Sequence, residues 1–342
     1  MDQRSSFLIG KEVFIKVVDI DTWDLLKDSL KTSNYLPFDT KEICITYLLS
    51  GSNLITPNTK VLISKNKYNI ADMEKYREKS YSEVYDNLRK DFVSFDNIFQ
   101  LSVGTAIILS ERVDGNFEKF LTSLSMENVE DIENAFIHMS HLYFEFQKKF
   151  KMVNIDPKLS NYTWKKLKEP MDMVYDFRDE FNSDLVIRRK VKNLFYLTDL
   201  EFAYSPVIKT KDIKGKMSYF NFSEVYDWME DRQKLIVPRI SIIPYYDYNI
   251  NLYLGIHQKL ISNKGNIKEL YGLFPRIFVV DILTLVKMIL SHHYISNLPP
   301  SIARELNRYF TLFTSISKKE ESFPYQVDYS MLSPSSFAKQ FI

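Results

Sequence analysis

Cysteine is nearly absent from the sequence, and neither sign of charge is in excess. Cys44 is the only cysteine among 342 residues, which excludes a disulfide within the chain and is typical of a reducing compartment. The 45 basic and 44 acidic residues leave a net charge of +1 at pH 7. Such a balance gives no electrostatic reason to expect binding to nucleic acid or to an anionic membrane.

Long apolar segments are also missing. Residues 277–290 are the most apolar late stretch, but they contain Asp281 and Lys287. They are too short and too charged to cross a bilayer, and a buried helix is expected there. The apolar start at residues 7–9 is interrupted at once by charged residues, so no signal peptide is expected. We therefore expect a soluble protein. Its 342 residues exceed the usual size of a domain with a single hydrophobic core, which predicts two lobes.

Glycine is scarce. The chain has eight glycines, and no two of them form Gly-x-Gly. Phosphate-binding loops rely on closely spaced glycines because the backbone must approach the phosphates. The sequence contains no Walker lysine motif, no Gly-x-Ser-x-Gly nucleophile motif and no zinc ribbon.

The most informative part of the chain is the polar stretch 150–161. It contains Asp156, Lys158 and Asn161, preceded by a helical pattern and followed by a strand pattern. A second strand-like run ends at Asp199. Phosphoryl transfer needs a carboxylate to receive the proton of the attacking hydroxyl, a cation near the phosphate, and an amide oxygen with a second carboxylate for Mg²⁺. These four residues can supply those groups. Taken alone, the stretch is equally consistent with a polar turn between a helix and a hairpin.

Apolar periodicity divides the chain into a strand-rich start and a helix-rich remainder. The charged residues 65–97 are mostly helical in pattern and are interpreted as an insertion. The charged residues 165–184 are interpreted as an extended hairpin or an excursion from the core, and residues 204–240 have little pattern. Strands are predicted over 11–19, 57–63, 103–111, 162–167 and 194–199. Helices are predicted over 42–49, 117–123, 130–149, 275–290 and 300–315, from 244–255 onward with Asp247 inside, and over 331–342 at the end.

These patterns together resemble a protein kinase, in particular the divergent serine/threonine kinases of large cytoplasmic DNA viruses. A strand lysine, a helix glutamate, a hinge, a long helix, a catalytic loop and a metal-binding aspartate follow one another in the same order. The resemblance implies an α+β, bilobal kinase-like fold. A small β-rich N-lobe without a Gly-rich loop would span residues 1–113, and a larger, mainly helical C-lobe residues 114–342.

The resemblance also implies how a nucleotide is held. Lys16 would bind its phosphates and pair with Glu42, while Glu111 and Val113 would offer hinge backbone groups to adenine. ATP and Mg²⁺ would be the cofactors. Protein substrates or virion proteins would be the partners, without nucleic acid, in the host cell cytoplasm or the virion.

Catalytic roles follow from the same resemblance. Asp156 would be the catalytic base and Lys158 the cation beside the transferred phosphate. Asn161 and Asp199 would be the Mg²⁺ ligands, and Asp247 would support the backbone of the catalytic loop.

Several features depart from the kinase pattern. Gly10 is the only glycine before Lys16, so the lid over the phosphates is absent or replaced. Asn154-Ile155 stands where His-Arg is usual, Leu200-Glu201 stands where Phe-Gly is usual, and no Ala-Pro-Glu follows. The retained polar residues favour an active serine/threonine kinase. The lost lid favours an inactive pseudokinase that serves as a virion structural or scaffolding protein. Phosphorylation of a small molecule or sugar is a third alternative.

Two other groups of residues were weighed as sites. His138 and His141 could share a metal ion, but no third ligand pattern accompanies them, which favours ordinary helix-surface histidines. The basic clusters at 148–151 and 165–168 are interpreted as solvated faces.

Overall fold

The chain forms two compact units of mixed α and β structure, which confirms the predicted α+β class. The computed structural model describes residues 5–19, 38–94, 104–124, 128–150, 152–154, 157–179, 182–200, 203, 209–211, 217–219, 275–291, 296, 298–322 and 330–342. The first unit comprises Met1–Val113, Leu197–Ala203 and Ile208–Asn221. The second comprises Asp114–Tyr196, Tyr204–Val207 and Phe222–Ile342.

The first unit is built on a five-stranded antiparallel sheet in the order β1-β2-β5-β3-β4. Burial alternates along most of β2, so that Val13, Ile15 and Val17 point to one face and Lys16 to the other. In the sheet, Lys16 lies between Phe7 of β1 and Ile108 of β5. The strands are β1 (Ser5–Ile9), β2 (Val13–Asp19), β3 (Lys60–Ser64), β4 (Val93–Ser94) and β5 (Thr105–Glu111).

The face of the sheet opposite Lys16 is covered by helices from residues 65–94. Helix α2 (Ile70–Met73) runs into a short 3₁₀ helix (Glu74–Tyr76), and α3 (Tyr81–Asp91) follows. Asn69 and Ser80 cap the two α-helices through capping boxes. The predicted helices are confirmed, and they form part of the core of the sheet. One core joins sheet and helices and contains Leu8, Val13, Ile15, Val17, Leu62, Met73, Tyr76, Val84, Leu88, Phe92, Ile107 and Leu109.

The Lys16 face of the sheet is flanked by helix α1 (Phe38–Leu49), as the helical pattern predicted. Ile43, Ile45 and Leu49 of this helix are fully buried. Gly51 follows the helix with a positive φ of 86°, a conformation that only glycine adopts readily.

The second unit has the long helix α5 (Val129–Phe150) at its centre. Helix α4 (Phe117–Ser123) precedes it, capped by Asn116. A three-stranded sheet in the order β6-β7-β8 contains β6 (Gly115–Asn116), β7 (Tyr162–Asp176) and β8 (Val186–Leu197). Strands β7 and β8 form the extended hairpin that the charged segment predicted.

Three further helices complete the described part of the second unit, close to their predicted positions. They are α6 (Pro275–Ser291), α7 (Pro300–Ser322) and α8 (Pro334–Ala338), with 3₁₀ turns at Ser330–Leu332 and Lys339–Phe341. Phe136 of α5 contacts the rings of Phe337 and Phe341, which fixes the C-terminal turn against the central helix. No helix among the described residues could span a membrane.

Two short strands, β9 (Lys209–Lys211) and β10 (Met217–Tyr219), pair with each other in the first unit. The predicted helix around Asp247 lies outside the described residues.

Candidate functional site

The candidate site is centred on Lys16 in the first unit. Its ammonium group donates hydrogen bonds to both carboxylate oxygens of Glu42, at 2.8 Å to Oε1 and 2.7 Å to Oε2. The side chains are only 15% and 5% exposed. A bidentate, charge-assisted contact in a poorly solvated place fixes the position of the ammonium group. Strand β2 and helix α1 bring the two residues together although 26 positions separate them.

Asp199 adds a second carboxylate to this group. Its Oδ1 lies 3.6 Å from the Lys16 Nζ atom, and its side chain is 37% exposed. The residue follows β8, whose last residue Leu197 donates its N–H to the Leu54 carbonyl at 2.7 Å. Leu200, next in the chain, is buried. Asp199 is therefore held between anchored residues with its carboxylate still open to solvent.

The backbone of Asp199 is in an uncommon conformation. Its φ angle is 56°, in the left-handed region that few non-glycine residues adopt. Such conformations persist only where the surrounding structure enforces them, and they concentrate at functional sites. The strained backbone is a second, independent reason to regard Asp199 as part of a site.

Aromatic side chains adjoin the lysine on the same face of the sheet. Phe7 pairs with Lys16 across β1 and β2, and Ile9 pairs with Phe14. Paired residues of neighbouring strands point to the same face. The Phe7 and Phe14 rings are stacked with centroids 6.0 Å apart, and Phe7 is 63% exposed. Sequence analysis missed this pair. The alternation of β2 was readable, but the pairing of β1 with β2 was not.

The predicted hinge residues lie at the end of β5. Glu111 is the last residue of the strand, and its Oε1 accepts a hydrogen bond from Asn58 Nδ2. The next residue continues the sheet, because the Arg112 N–H donates to the Glu12 carbonyl at 2.8 Å. Val113, which is half-buried, is the last residue of the first unit before Asp114.

Two of the three predicted loop residues are described, and both belong to the second unit. Asn161 is buried at the end of a 3₁₀ turn (Leu159–Asn161), and its N–H donates to the Lys158 carbonyl at 2.8 Å. Lys158 is half-buried. Asp156 and Glu201 lie outside the described residues. The predicted residues are thus assembled in two groups, with Lys16, Glu42 and Asp199 in one unit and Lys158 and Asn161 in the other.

A buried carboxylate supports the start of the polar loop. Asp281 of α6 is fully buried, and its Oδ2 accepts a hydrogen bond from the Asn154 backbone N–H at 2.8 Å. This is the kind of support that was predicted for Asp247, which lies outside the described residues. The signal for Asp281 was present in the sequence as a single acidic residue inside an otherwise apolar helix. Buried carboxylates are rare unless they have partners.

A tyrosine pair lies in the same part of the second unit. The Tyr143 and Tyr162 hydroxyls are hydrogen-bonded to each other and buried. Burial, together with the nearby Tyr162 and Asp281, raises the pKa of Tyr143 well above its ordinary value. Tyr143 therefore stays neutral at physiological pH and serves as a rigid hydrogen-bonding partner.

Of the two histidines of α5, His138 is buried and His141 is half-buried, so neither lies exposed on the helix surface, which corrects the expectation from sequence. Burial lowers the pKa of His138 from 6.5 to about 3, with a smaller contribution from His141. Their rings contact Tyr175, and that of His138 also contacts Phe195. Within the residues that the structure describes, no three His, Cys, Asp or Glu side chains are grouped as a metal site requires.

Comparison with known proteins gives no relative on which to base an assignment. No protein-family model matches the sequence, and no curated protein matches it.

Proposed function

We propose that the protein is a bilobal, protein kinase-like phosphotransferase that moves the γ-phosphate of ATP to serine or threonine hydroxyls of proteins in an Mg²⁺-dependent reaction. One observation carries the proposal: the Lys16 ammonium is bonded to Glu42 and lies 3.6 Å from Asp199. A strand lysine paired with a helix glutamate, beside a metal-binding aspartate, is the arrangement that active protein kinases require.

The charges of this group suit a nucleotide and its metal ion. One ammonium group, that of Lys16, faces two carboxylates, those of Glu42 and Asp199. Asp199 is the exposed carboxylate of the two, and carboxylate oxygens are preferred Mg²⁺ ligands. Asp199 is therefore suited to be a ligand of the ion, and Asn161 is the second ligand that the resemblance to kinases implies. When bound, Mg²⁺ would neutralise charge on the phosphate oxygens.

The remaining roles belong to side chains of the chain itself. Glu42 would orient the Lys16 ammonium toward the phosphates. Asp156 would accept the proton of the attacking hydroxyl, and Lys158 would place positive charge beside the transferred phosphate. Asp281 would act through the Asn154 backbone, as a positioning residue for the loop.

Exposed aromatic surface next to the lysine supports nucleotide rather than bare phosphate as the ligand. The Phe7 and Phe14 rings lie on the Lys16 face of the sheet, and stacking of a base on an aromatic ring contributes about 1–3 kcal/mol. Replacing Phe7 with alanine should weaken the thermal stabilisation by Mg-ATP but not that by Mg-tripolyphosphate, which has no base. Equal losses with both ligands would remove this support.

Transfer of radiolabelled phosphate from ATP to acidic and basic test proteins examines the proposal directly. Lys16→Met should lower the transfer rate by about 100-fold or more, because an electrostatic contact to the reacting phosphates is lost. Asp156→Ala should do the same because the proton acceptor is lost. Lys11→Met is the matched control, since Lys11 is exposed in the turn before β2. Transfer that is unchanged in the Lys16 and Asp156 variants would refute the assignment.

A second function, that of a non-catalytic scaffold, is favoured by the turn between β1 and β2. Gly10 occupies this turn, and a Cβ atom there would lie 2.8 Å from the Arg77 carbonyl oxygen. The Lys11 N–H donates to the same carbonyl at 2.6 Å. The turn is therefore bonded to the helical segment and is not a phosphate-covering lid. A melting temperature that does not respond to Mg-ATP would favour the scaffold, since a ligand of the folded state must raise it.

A further inference from the structure

A row of cations follows the outward face of β8. Arg188, Lys190 and Lys192 occupy alternate positions and are exposed, whereas Ile187 and Val191 are buried. Alternate residues of a strand lie on one face about 6.7 Å apart. Three positive charges therefore follow one another at regular spacing; we call them the basic row.

Acidic side chains in the described part of the chain do not form ion pairs with the basic row. Lys166 and Lys168 of β7 are exposed as well. Among the described residues, none of these five cations forms an ion pair. Some exposed cations elsewhere have acidic partners nearby in sequence, as in Arg77–Glu74, Arg89–Asp86, Arg178–Asp176 and Arg308–Glu305. For a chain of net charge +1, this is a local concentration of positive charge.

Hydrogen bonds hold the strand of the basic row in place. Asn134 of α5 donates to the Lys190 carbonyl at 3.3 Å, and Arg189 donates to the Phe341 carbonyl at 3.3 Å. In the turn of the hairpin, Asn182 donates to Ser335 of α8 at 2.7 Å. A surface that is already ordered loses less entropy when a partner binds. The basic row is therefore preorganised for binding.

The surroundings of the basic row indicate which partner it fits. Apolar side chains of the hairpin are exposed beside it, at Met171, Val174 and Val186. Nucleic-acid strands are usually held by aromatic stacking surfaces, whereas Trp164 and Tyr175 of this hairpin are buried. An extended polypeptide places alternate side chains about 6.7 Å apart, which is the spacing of the basic row. Acidic side chains at alternate positions would meet the cations, and apolar ones the exposed patch.

We propose that the basic row is a docking surface for an extended acidic segment of a partner protein. It forms its own site within the second unit, and binding there does not require phosphoryl transfer. Docking at the basic row is therefore independent of the proposed catalytic activity.

Fluorescence anisotropy with the full chain and a labelled peptide of alternating glutamate and threonine tests the inference. The wild-type chain should bind, and affinity should fall as salt is added, because exposed charges are screened. Arg188→Glu/Lys190→Glu/Lys192→Glu should weaken binding by about tenfold or more. The matched control, Lys60→Glu/Lys65→Glu/Lys90→Glu, changes three exposed lysines of the first unit and should bind like the wild type. Circular dichroism verifies folding, and the milder Arg188→Gln/Lys192→Gln variant serves if the reversal does not fold.

Three outcomes would overturn the inference. The first is no binding of the acidic peptide, which would leave the cations as charges that only keep an edge strand from pairing with other chains. The second is an equal loss of affinity in the control variant. The third is stronger binding of an oligothymidine of the same net charge, which would identify a nucleic-acid surface.

Discussion

The Lys16–Glu42 pair makes a quantitative prediction because its two partners are buried to different degrees. Lys16→Met removes the cation and leaves the Glu42 carboxylate, 5% exposed, without its main partner. Removing one member of a buried ion pair lowers stability by about 3 kcal/mol or somewhat more. Glu42→Met leaves an ammonium that is 15% exposed and still 3.6 Å from Asp199. The Glu42→Met variant should therefore lose less stability than Lys16→Met, about 1 kcal/mol.

The double variant Lys16→Met/Glu42→Met should recover most of the loss. Replacing a buried ion pair by apolar side chains of similar volume is often neutral or stabilising, because the cost of desolvating two charges disappears. We expect its free energy of unfolding to lie within about 1 kcal/mol of the wild-type value. The double variant should nevertheless show no thermal response to Mg-ATP, since the cation that we propose to bind the phosphates is gone.

Urea unfolding followed by circular dichroism measures the four free energies of the double-mutant cycle. Lys11→Met is the control and should change stability by no more than about 0.5 kcal/mol, as exposed substitutions usually do. Two results would refute the reasoning. One is a Lys16→Met variant as stable as the wild type, and the other is a double variant less stable than either single one.

Three further predictions concern stability alone, and urea unfolding measures each of them. Asp281→Leu should lower the free energy of unfolding by about 2 kcal/mol because the buried Asn154 N–H loses its acceptor. Asp281→Asn keeps an acceptor oxygen and should lower it less. Equal effects of the two variants would contradict the role of this hydrogen bond. The native state does not protonate His138 until about pH 3, whereas the unfolded chain does so near 6.5. Stability should therefore fall by about 1.4 kcal/mol per pH unit as the pH drops below 6.5, and a His138→Gln variant with the same slope would disprove this. Gly10→Ala should lower the free energy of unfolding by about 1–3 kcal/mol because the added Cβ atom would collide with the Arg77 carbonyl oxygen. An unchanged urea midpoint would show that the turn can shift to accommodate it.

Local patterns were sufficient to predict most elements. The helix at 129–150 has apolar residues at helical spacing, and the strand at 105–111 is a short apolar run that ends at a polar turn. Both were found close to where they were predicted. The charged segment 165–184 was interpreted as a hairpin or an excursion, because charge without helical periodicity fits an exposed ribbon better than a core, and the hairpin is what forms.

Features that depend on distant contacts could not be predicted in this way. Residues 65–94 are rich in charge, and their sequence does not show that five of their apolar side chains enter the sheet core. The contact between Asp281 and Asn154 joins residues 127 positions apart, and no local rule selects that partner. The pairing of Lys16 with Glu42 was expected from the resemblance to kinases, not from periodicity.

The helices behind the sheet have a consequence for any attempt to shorten the protein. Because α2 and α3 share one core with the strand of Lys16, deleting them would remove part of that core. The deletion would expose an apolar face of the sheet to solvent and promote aggregation. It would also make the position of Lys16 on the other face less fixed. A cavity on that hidden side, made by Leu88→Ala, should therefore reduce the proposed thermal stabilisation by Mg-ATP, although Leu88 lies in the core behind the sheet.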